Sequence, residues 1–311
     1  MTKYSFVLPA YKARFFKEAL DSILSQTYKD FELIIVNDAS PEDLGSIVKS
    51  YDDPRIRYYV NEQNIGGKDL VAQWNHCLEY AIGEYIILAS DDDVYHVEYL
   101  EKMDKLVCQY PTVNVFRPRI KWINFDGCTI NIEPKIKELM SQIDFIYLYS
   151  KGSISRGIQF YLFKKRALLN IKGFINFPLA WFSDDATVMK LSRDRIISTN
   201  EILFSFRDSG LNISSTINNK EMLLHKLYAA ELFYSWLVDE LKYVICNNKE
   251  DSCKKTVVYS TSYMRRNDHM IGLIKHSVYN RNVIESWRIL RKIKSLKSID
   301  RLKILYRSFI K

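Results

Sequence analysis

Up to residue 110, short apolar runs alternate with stretches whose apolar residues recur three and four positions apart. The runs Tyr4 to Leu8, Phe31 to Val36, Ile56 to Val60 and Tyr85 to Ala89 have strand length, and the segments between them have helical periodicity. In one such segment Leu70, Val71, Trp74, Leu78, Ala81 and Ile82 form a single stripe. This alternation predicts an α/β fold, with a mixed, mostly parallel central sheet flanked by helices. Ligands of such sheets bind beyond the carboxyl ends of the strands. Pro9-Ala10-Tyr11 follows the first run, Asn37 to Ser40 the second, Asn61 to Gly67 the third and Ser90 to Asp93 the fourth, so all four polar clusters are expected on one edge.

Beyond residue 111 the alternation loosens into the strand candidates Val113 to Arg117, Ile158 to Phe163 and Ile196 to Phe206. After Asn218 the signal is helical, with Leu223, Leu224, Leu227, Ala230, Leu232 and Phe233 crowding one region. The expected organisation is a ligand-binding half over 1–110, a second half of the same domain over 111–217, and a helical, basic C-terminal extension over 218–311. There is no internal repeat and no low-complexity linker.

A chain of 311 residues with 47% hydrophobic and 14% aromatic content can bury a large core, which excludes a disordered protein. Its five scattered cysteines lack metal-type spacing and read as reduced thiols of a cytoplasmic protein. The apolar run at the start is too short for a signal-peptide core and is interrupted by Pro9. No stretch approaches the roughly 18 apolar residues of a membrane span. The net charge of +8 is concentrated at the end, where residues 285–311 carry nine Lys or Arg against two acids.

Chemistry is signalled most strongly by Asp91-Asp92-Asp93, which stand where the fourth apolar run stops. Adjacent carboxylates repel unless a cation or hydrogen-bond donors absorb the charge, and a divalent metal on a phosphorylated ligand would do so. The alternative is an acidic turn capping the helix that carries Leu100, Met103, Leu106, Val107 and Tyr110. A second acidic pair, Asp184-Asp185, opens the helical pattern Val188, Met189, Leu191, and capping is again the alternative.

The segments Ser5 to Tyr11, Ser22 to Tyr28 and Glu32 to Ser40, followed by Asn64-Ile65-Gly66, Gln73-Trp74-Asn75, Gly83-Glu84-Tyr85 and the Asp triplet, resemble the nucleotide-binding half of family 2 inverting glycosyltransferases with the GT-A fold. The resemblance runs from residue 3 to about 105, and several motifs in the right order make it specific. It implies a nucleotide-diphosphate sugar donor, with Asp38 accepting from a ring N–H of the base and Pro9 and Tyr11 lining base and ribose. Asn37 and Ala39 depart from the family's more usual Asp and Gly. By the same resemblance Asp93 is the expected ligand of Mn²⁺ or Mg²⁺, Asp92 lies near ribose or metal, and Asp91 supports them. A hard cation takes few carboxylates and completes its shell with diphosphate oxygens and water.

Gly66 and Lys68 belong to a turn that would bring backbone and one cation to the donor, or that is simply a glycine-rich loop. Trp74 reads as core, and Asn75 as a hydrogen-bonding partner of a neighbouring loop. Asp184-Asp185 resembles the family's acidic pair below the acceptor site, which makes Asp185 the expected general base and Asp184 its assistant. Arg207 to Ser214 resembles the Arg-containing segment after the last strand. There Arg207 would meet the diphosphate or pair with Asp208 or Asp184, while Ser209 stands where some members have a metal-binding His. The histidines have no metal spacing, and Lys164-Lys165-Arg166 reads as a solvated face.

The expected activity is metal-dependent, inverting sugar transfer to a glycan or lipid-linked acceptor in bacterial surface-polysaccharide assembly. The alternatives are a sugar nucleotidyltransferase, whose basic glycine-rich loop Pro9-Ala10-Tyr11-Lys12 does not resemble, and a non-catalytic sugar-nucleotide-binding membrane adaptor. In the basic tail, apolar residues from Ile289 to Ile310 interleave with the cations, which suits peripheral contact with an anionic membrane at its cytoplasmic face. Nucleic acid is the competing partner for a basic stretch and is not expected here; packing on the catalytic domain is the plainer alternative.

Overall fold

The structure, a computed structural model, describes residues 2–210, 219–280 and 282–309. Strand β1 (Tyr4–Ala10) is buried almost throughout, as is β2 (Phe31–Asn37), which marks them as central strands covered on both faces. With β3 (Ile56–Val60) and β4 (Tyr85–Leu88) they form a parallel unit in the order β3-β2-β1-β4. These four strands end within two residues of their expected limits. Their shared direction puts all four polar clusters on one edge, as the sequence pattern predicts.

The sheet continues through β5 (Val94–Tyr95), β6 (Val115–Ile123), β7 (Thr129–Ile132), β8 (Leu139–Met140), β9 (Leu162–Lys164) and β10 (Ile196–Arg207). Its full order is β3-β2-β1-β4-β9-β6-β10-β5, with β7 on β6 and β8 on β10. Strand β9 is antiparallel to both β4 and β6, whereas β6 and β10 are parallel. One mixed sheet therefore crosses residue 110 without a break. The expected strand Ile158 to Phe163 is mostly not one: Ile158–Phe160 form a 3₁₀ turn whose ends are buried by tertiary packing, and only Leu162–Lys164 pair. The two-residue strands β5 and β8 are too short to leave a periodic signal.

Helices α1 (Phe16–Leu24), α2 (Leu44–Lys49), α3 (Leu70–Glu79), α4 (Tyr99–Gln109), α5 (Gln142–Ser150), α6 (Lys165–Asn170) and α7 (Ser183–Leu191) accompany the sheet. The C-terminal region is helical: α8 (Lys220–Glu240), α9 (Lys249–Lys275), α10 (Val283–Arg291) and α11 (Ser298–Phe309). Its expected start at 218, and the segment Leu211 to Ser214, lie outside the described residues.

Two polar motifs brace the strands. Glu32 accepts from Ser5 Oγ at 2.6 Å, Ile82 N at 2.7 Å and Arg57 Nη1 at 2.9 Å, tying β1, β2 and the entry to β4 together. Gln26, at the end of α1, donates to His96 O at 2.8 Å and accepts from Leu100 N at 2.9 Å, which fixes the chain leaving the acidic turn.

The C-terminal helices are packed onto this body and are not a detached tail. Ile289, Leu290, Ile293, Leu296 and Ile304 are buried in the common core. Arg266 of α9 lies 3.0 Å from Glu231 of α8 and 3.3 Å from Asp300 of α11, a buried ionic tie between three helices. Glu240 of α8 accepts from Lys190 at 2.6 Å and pairs with Arg193 at 3.0 Å, docking α8 against the end of α7. No helix among the described residues is long and apolar enough to cross a membrane.

Candidate active site

A cavity of about 690 Å³ opens at the carboxyl edge of β1, β2 and β4. Pro9, Tyr11, Asp38, Gly66, Asp91 and Asp92 line it, and so do Asp184 and Asp185. The two acidic clusters, far apart in the chain, share one cleft.

Asp38 follows β2 and is buried, with three donors already in place: Asn61 Nδ2 at 2.8 Å, Ile65 N at 2.8 Å and Gly66 N at 2.7 Å. A carboxylate has about four acceptor positions, so room remains for one more donor. Gly66 permits this approach, because a Cβ there would lie 2.9 Å from Asp38 Oδ2. Lys68 departs from expectation: it is exposed, its ammonium lies 3.4 Å from Gln63 Oε1, and it does not line the cavity. Lys12 lines the cavity instead. Asn75 Oδ1 accepts from Phe174 N at 2.8 Å, as a loop-holding amide should, and Trp74 packs edge-on against Phe174 while touching the cavity.

The Asp triplet divides into three environments. Asp91 Oδ2 accepts from Tyr11 N at 2.9 Å and Lys12 N at 2.8 Å, joining the acidic turn to the loop after β1. Asp92 lines the cavity, and burial, then the charge of Asp91, push its pKa up to about 6. Asp93, the expected metal ligand, is fully buried outside the lining, with Oδ1 accepting from Arg207 N at 2.8 Å and Oδ2 from Ser90 Oγ. Burial, then the charge of Asp92, raise its pKa well above the carboxylate range. Asp92, not Asp93, is the carboxylate of this pair that the cleft presents.

Arg207 is also displaced from its expected place at the donor. It is 1% exposed, with Nε donating to Asp92 O at 2.9 Å, Nη1 to Phe125 O at 3.1 Å, and Nη2 2.6 Å from Glu18. The Phe15 ring covers it, 4.2 Å from centroid to guanidinium carbon. Arg207 therefore clamps the acidic turn from behind. The capping alternative for the triplet also fails, since α4 begins after Glu98 and β5 intervenes.

Asp184 and Asp185 lie in the first turn of α7, whose N-cap is Phe182 with no side-chain cap, so neither carboxylate is an N-cap. Leu179, Ala180 and Phe182 precede them at φ 58°, 55° and 73°. Non-glycine residues pay roughly 1–3 kcal/mol each for that region, and such strain persists only where the surroundings impose it. Phe182 stacks on Phe233 at 4.5 Å, which holds the turn. Asp185 Oδ2 accepts from Tyr149 Oη at 3.1 Å, and Asp184 Oδ1 from Asp185 N at 2.9 Å. Burial, then the charge of Asp184, raise the Asp185 pKa well above the usual range, while Arg156 and the Tyr149 hydroxyl act the other way.

Sequence reasoning missed Arg156, Gln159, Trp181, Lys226 and His269, all of which line the cavity. His269, from α9, meets the Phe182 ring at 4.9 Å, and burial, then Arg156, push its pKa down to about 4. These residues come from loops and from the far side of the fold, and only Trp181, adjoining the acidic pair, carried a local hint. Among the described residues no group of three or more His, Cys, Asp or Glu side chains is assembled to hold a metal unaided.

Comparison with known proteins gives a consistent result. The family model for glycosyl transferase family 2 matches residues 5–165. A putative glycosyltransferase, EpsE of Bacillus subtilis, is 39% identical over 104 residues, covering 32% of this chain and 36% of its own. The GalNAc(5)-diNAcBac-PP-undecaprenol beta-1,3-glucosyltransferase of Campylobacter jejuni is 34% identical over 96 residues, covering 30% of each. The matched region is thus about a third of these relatives' length. Among solved structures, S. aureus TarS 1-349 in complex with UDP-GlcNAc superposes with a TM-score of 0.68 at 17% identity, covering 99% of this chain and 89% of TarS. The mannosyltransferase PcManGT of Pyrobaculum calidifontis, with GDP-Man and Mn²⁺, gives 0.56 at 13% identity, over 98% and 78%. The fold is that of the GT-A glycosyltransferases.

Proposed function

The chain belongs to glycosyl transferase family 2, and from that premise we propose that it moves a sugar from a nucleotide-diphosphate donor to a glycan or lipid-linked acceptor, with inversion at the anomeric carbon. The observation that carries this reading is the sharing of one cavity by Asp91 and Asp92 on one hand and Asp184 and Asp185 on the other.

In this reading the remaining acceptor position of Asp38 takes a ring N–H of the base, and Pro9 and Tyr11 flank base and ribose. The donor set fits a hard divalent cation such as Mn²⁺ or Mg²⁺: Asp92 would hold it with Asp91 beside it, and burial raises both pKa values, with the charge of Asp91 adding to the rise at Asp92, a cost that a bound cation would offset. Such a cation, when bound, supplies positive charge for the departing nucleoside diphosphate. The GDP-Man and Mn²⁺ bound by PcManGT support this assignment.

Asp185 takes the proton of the acceptor hydroxyl while that oxygen bonds to the anomeric carbon, and the bond from that carbon to the diphosphate breaks with its electron pair leaving on phosphate. A carboxylate raised by burial is the stronger base once ionised. Tyr149 and Arg156 favour that ionised form, the first by its hydrogen bond and the second by its charge.

A lipid-linked acceptor is supported by the undecaprenol-linked substrate in the name of the Campylobacter relative, and the reaction is proposed to belong to bacterial surface-polysaccharide assembly. It would bring the protein to the cytoplasmic face of a membrane. Packing of α10 and α11 uses much of the tail's apolar surface but leaves Ile299, Leu302 and Tyr306 exposed on one side of α11, near Lys297 and Lys303. The overall reading is tested by titrating UDP- and GDP-sugars with and without Mn²⁺. Metal-dependent binding and slow donor hydrolysis are expected, and a protein that binds no nucleotide sugar under either condition overturns it.

A further inference from the structure

The cleft holds a cation for which the proposed chemistry has no use. Lys226, on α8, is 1% exposed, and its ammonium is buried with no hydrogen-bond acceptor among the described residues. It lies 4.1 Å from the centre of the Trp181 ring, whose own Nε1 is likewise buried without an acceptor. Both residues line the cavity.

An ammonium taken out of water without an anion carries a large desolvation penalty, which a single cation–π contact offsets only in part. Burial alone moves the Lys226 pKa, and moves it down; no neighbouring carboxylate raises it. Several other buried or half-buried cations of this region are paired: Arg266 with Glu231 and Asp300, Lys190 with Glu240, and Lys254 with Asp144. Lys226 has no such partner among the described residues, and it lies on the cavity wall.

Its contact is with the segment that carries the second acidic pair. Trp181 belongs to the strained turn that leads into α7, only a few residues before Asp184 and Asp185. Lys12 and the Asp91–Asp92 pair lie instead on the loops after β1 and β4. At Arg156, burial is outweighed by the nearby charges of Asp185 and Asp184, which raise its pKa.

We propose that Lys226 and the Trp181 indole N–H form an acceptor subsite for an oxyanion, a phosphate or a carboxylate borne by the glycan whose hydroxyl Asp185 deprotonates. The acceptor is then anionic close to the reacting sugar, and the subsite stays incomplete until it binds. This rests on the proposed transferase reading, so its test separates the two.

Wild-type protein and Lys226→Met, of similar length and without charge, are each titrated with UDP and GDP in Mn²⁺, then with inorganic phosphate, glucose, glucose 6-phosphate and glucuronate. Nucleotide binding by both proteins with equal affinity is expected. Inorganic phosphate and at least one charged sugar should bind wild type at least tenfold more tightly than glucose and lose at least tenfold in Lys226→Met. Glucose 6-phosphate against glucuronate tells phosphate from carboxylate. Lys226→Met should melt at or above the wild-type temperature in phosphate-free buffer, which shows that it folds. Equal binding of neutral and charged probes, or anion binding that survives Lys226→Met, overturns the subsite. Loss of UDP or GDP affinity in Lys226→Met would move Lys226 to the donor diphosphate and also overturn it. Failure of both nucleotides to bind either protein counts against the transferase reading, while the phosphate titration still decides the anion site.

Discussion

Tyr149 donates its hydroxyl hydrogen to Asp185 Oδ2 across 3.1 Å, reaching from α5 to the first turn of α7. A bond to the ionised carboxylate favours that form, so its loss raises an already elevated pKa. Tyr149→Phe should therefore move the acidic limb of the kcat profile to higher pH and lower kcat at neutral pH about tenfold. Donor KM should stay unchanged. Stopped assays across pH 5–9 with nucleotide sugar as sole substrate would measure this, and an unmoved acidic limb would remove Tyr149 from the mechanism.

Asp92 makes a prediction about stability. Its folded pKa of about 6 lies above the ordinary carboxylate value, so between roughly pH 4 and pH 6 the folded protein holds more protons than the unfolded chain. Stability then falls as pH rises through that window. Asp92→Asn, which cannot ionise, should be about 1–3 kcal/mol more stable than wild type above pH 6, with the gain vanishing near pH 4. Urea melts without metal at the two pH values test this. The same variant should lose metal-dependent donor binding.

Which of these groups could be read from the sequence follows from how local their geometry is. The four polar clusters were legible because strand direction alone puts them on one edge, and Asp184-Asp185 because the pair adjoins a helical pattern. Which of Asp91, Asp92 and Asp93 meets the cavity was not legible. That depends on the backbone N–H of Arg207, 114 residues away, engaging Asp93. Arg207 looked like a phosphate ligand because its chemistry suits one, yet Phe15, Glu18 and backbone carbonyls absorb its guanidinium. Lys226 and His269 enter from helices whose docking no local pattern encodes. The tail's apolar residues fit either a membrane or a core, and the bundle claims Ile289, Ile293 and Ile304 for the core.

Arg207 as a clamp and Arg207 as a donor ligand predict different losses. Arg207→Met would leave Glu18 and the carbonyls of Asp92 and Phe125 without their partner, and should lower stability by about 2–4 kcal/mol. Thermal unfolding without ligand reads this directly. An unchanged melting temperature with a much raised donor KM would restore the ligand role.

For α11, the exposed Ile299, Leu302 and Tyr306 predict salt-sensitive binding to vesicles containing anionic lipid. Leu302→Glu should weaken that binding about tenfold without changing the melting temperature, because Leu302 lies outside the core. Truncating the tail is a poorer test, since it would also remove Ile289, Ile293 and Ile304 from the core. Absence of vesicle binding by the intact chain would leave α11 a packing element only.

The most direct measurement is turnover by Asp185→Asn, with donor affinity measured on the same preparation. The variant keeps size and shape but cannot accept a proton. Metal-dependent donor binding should stay within about twofold of wild type while turnover of the nucleotide sugar falls at least 10²-fold, the scale of a general base. Turnover at the wild-type rate by a folded Asp185→Asn protein would contradict the account.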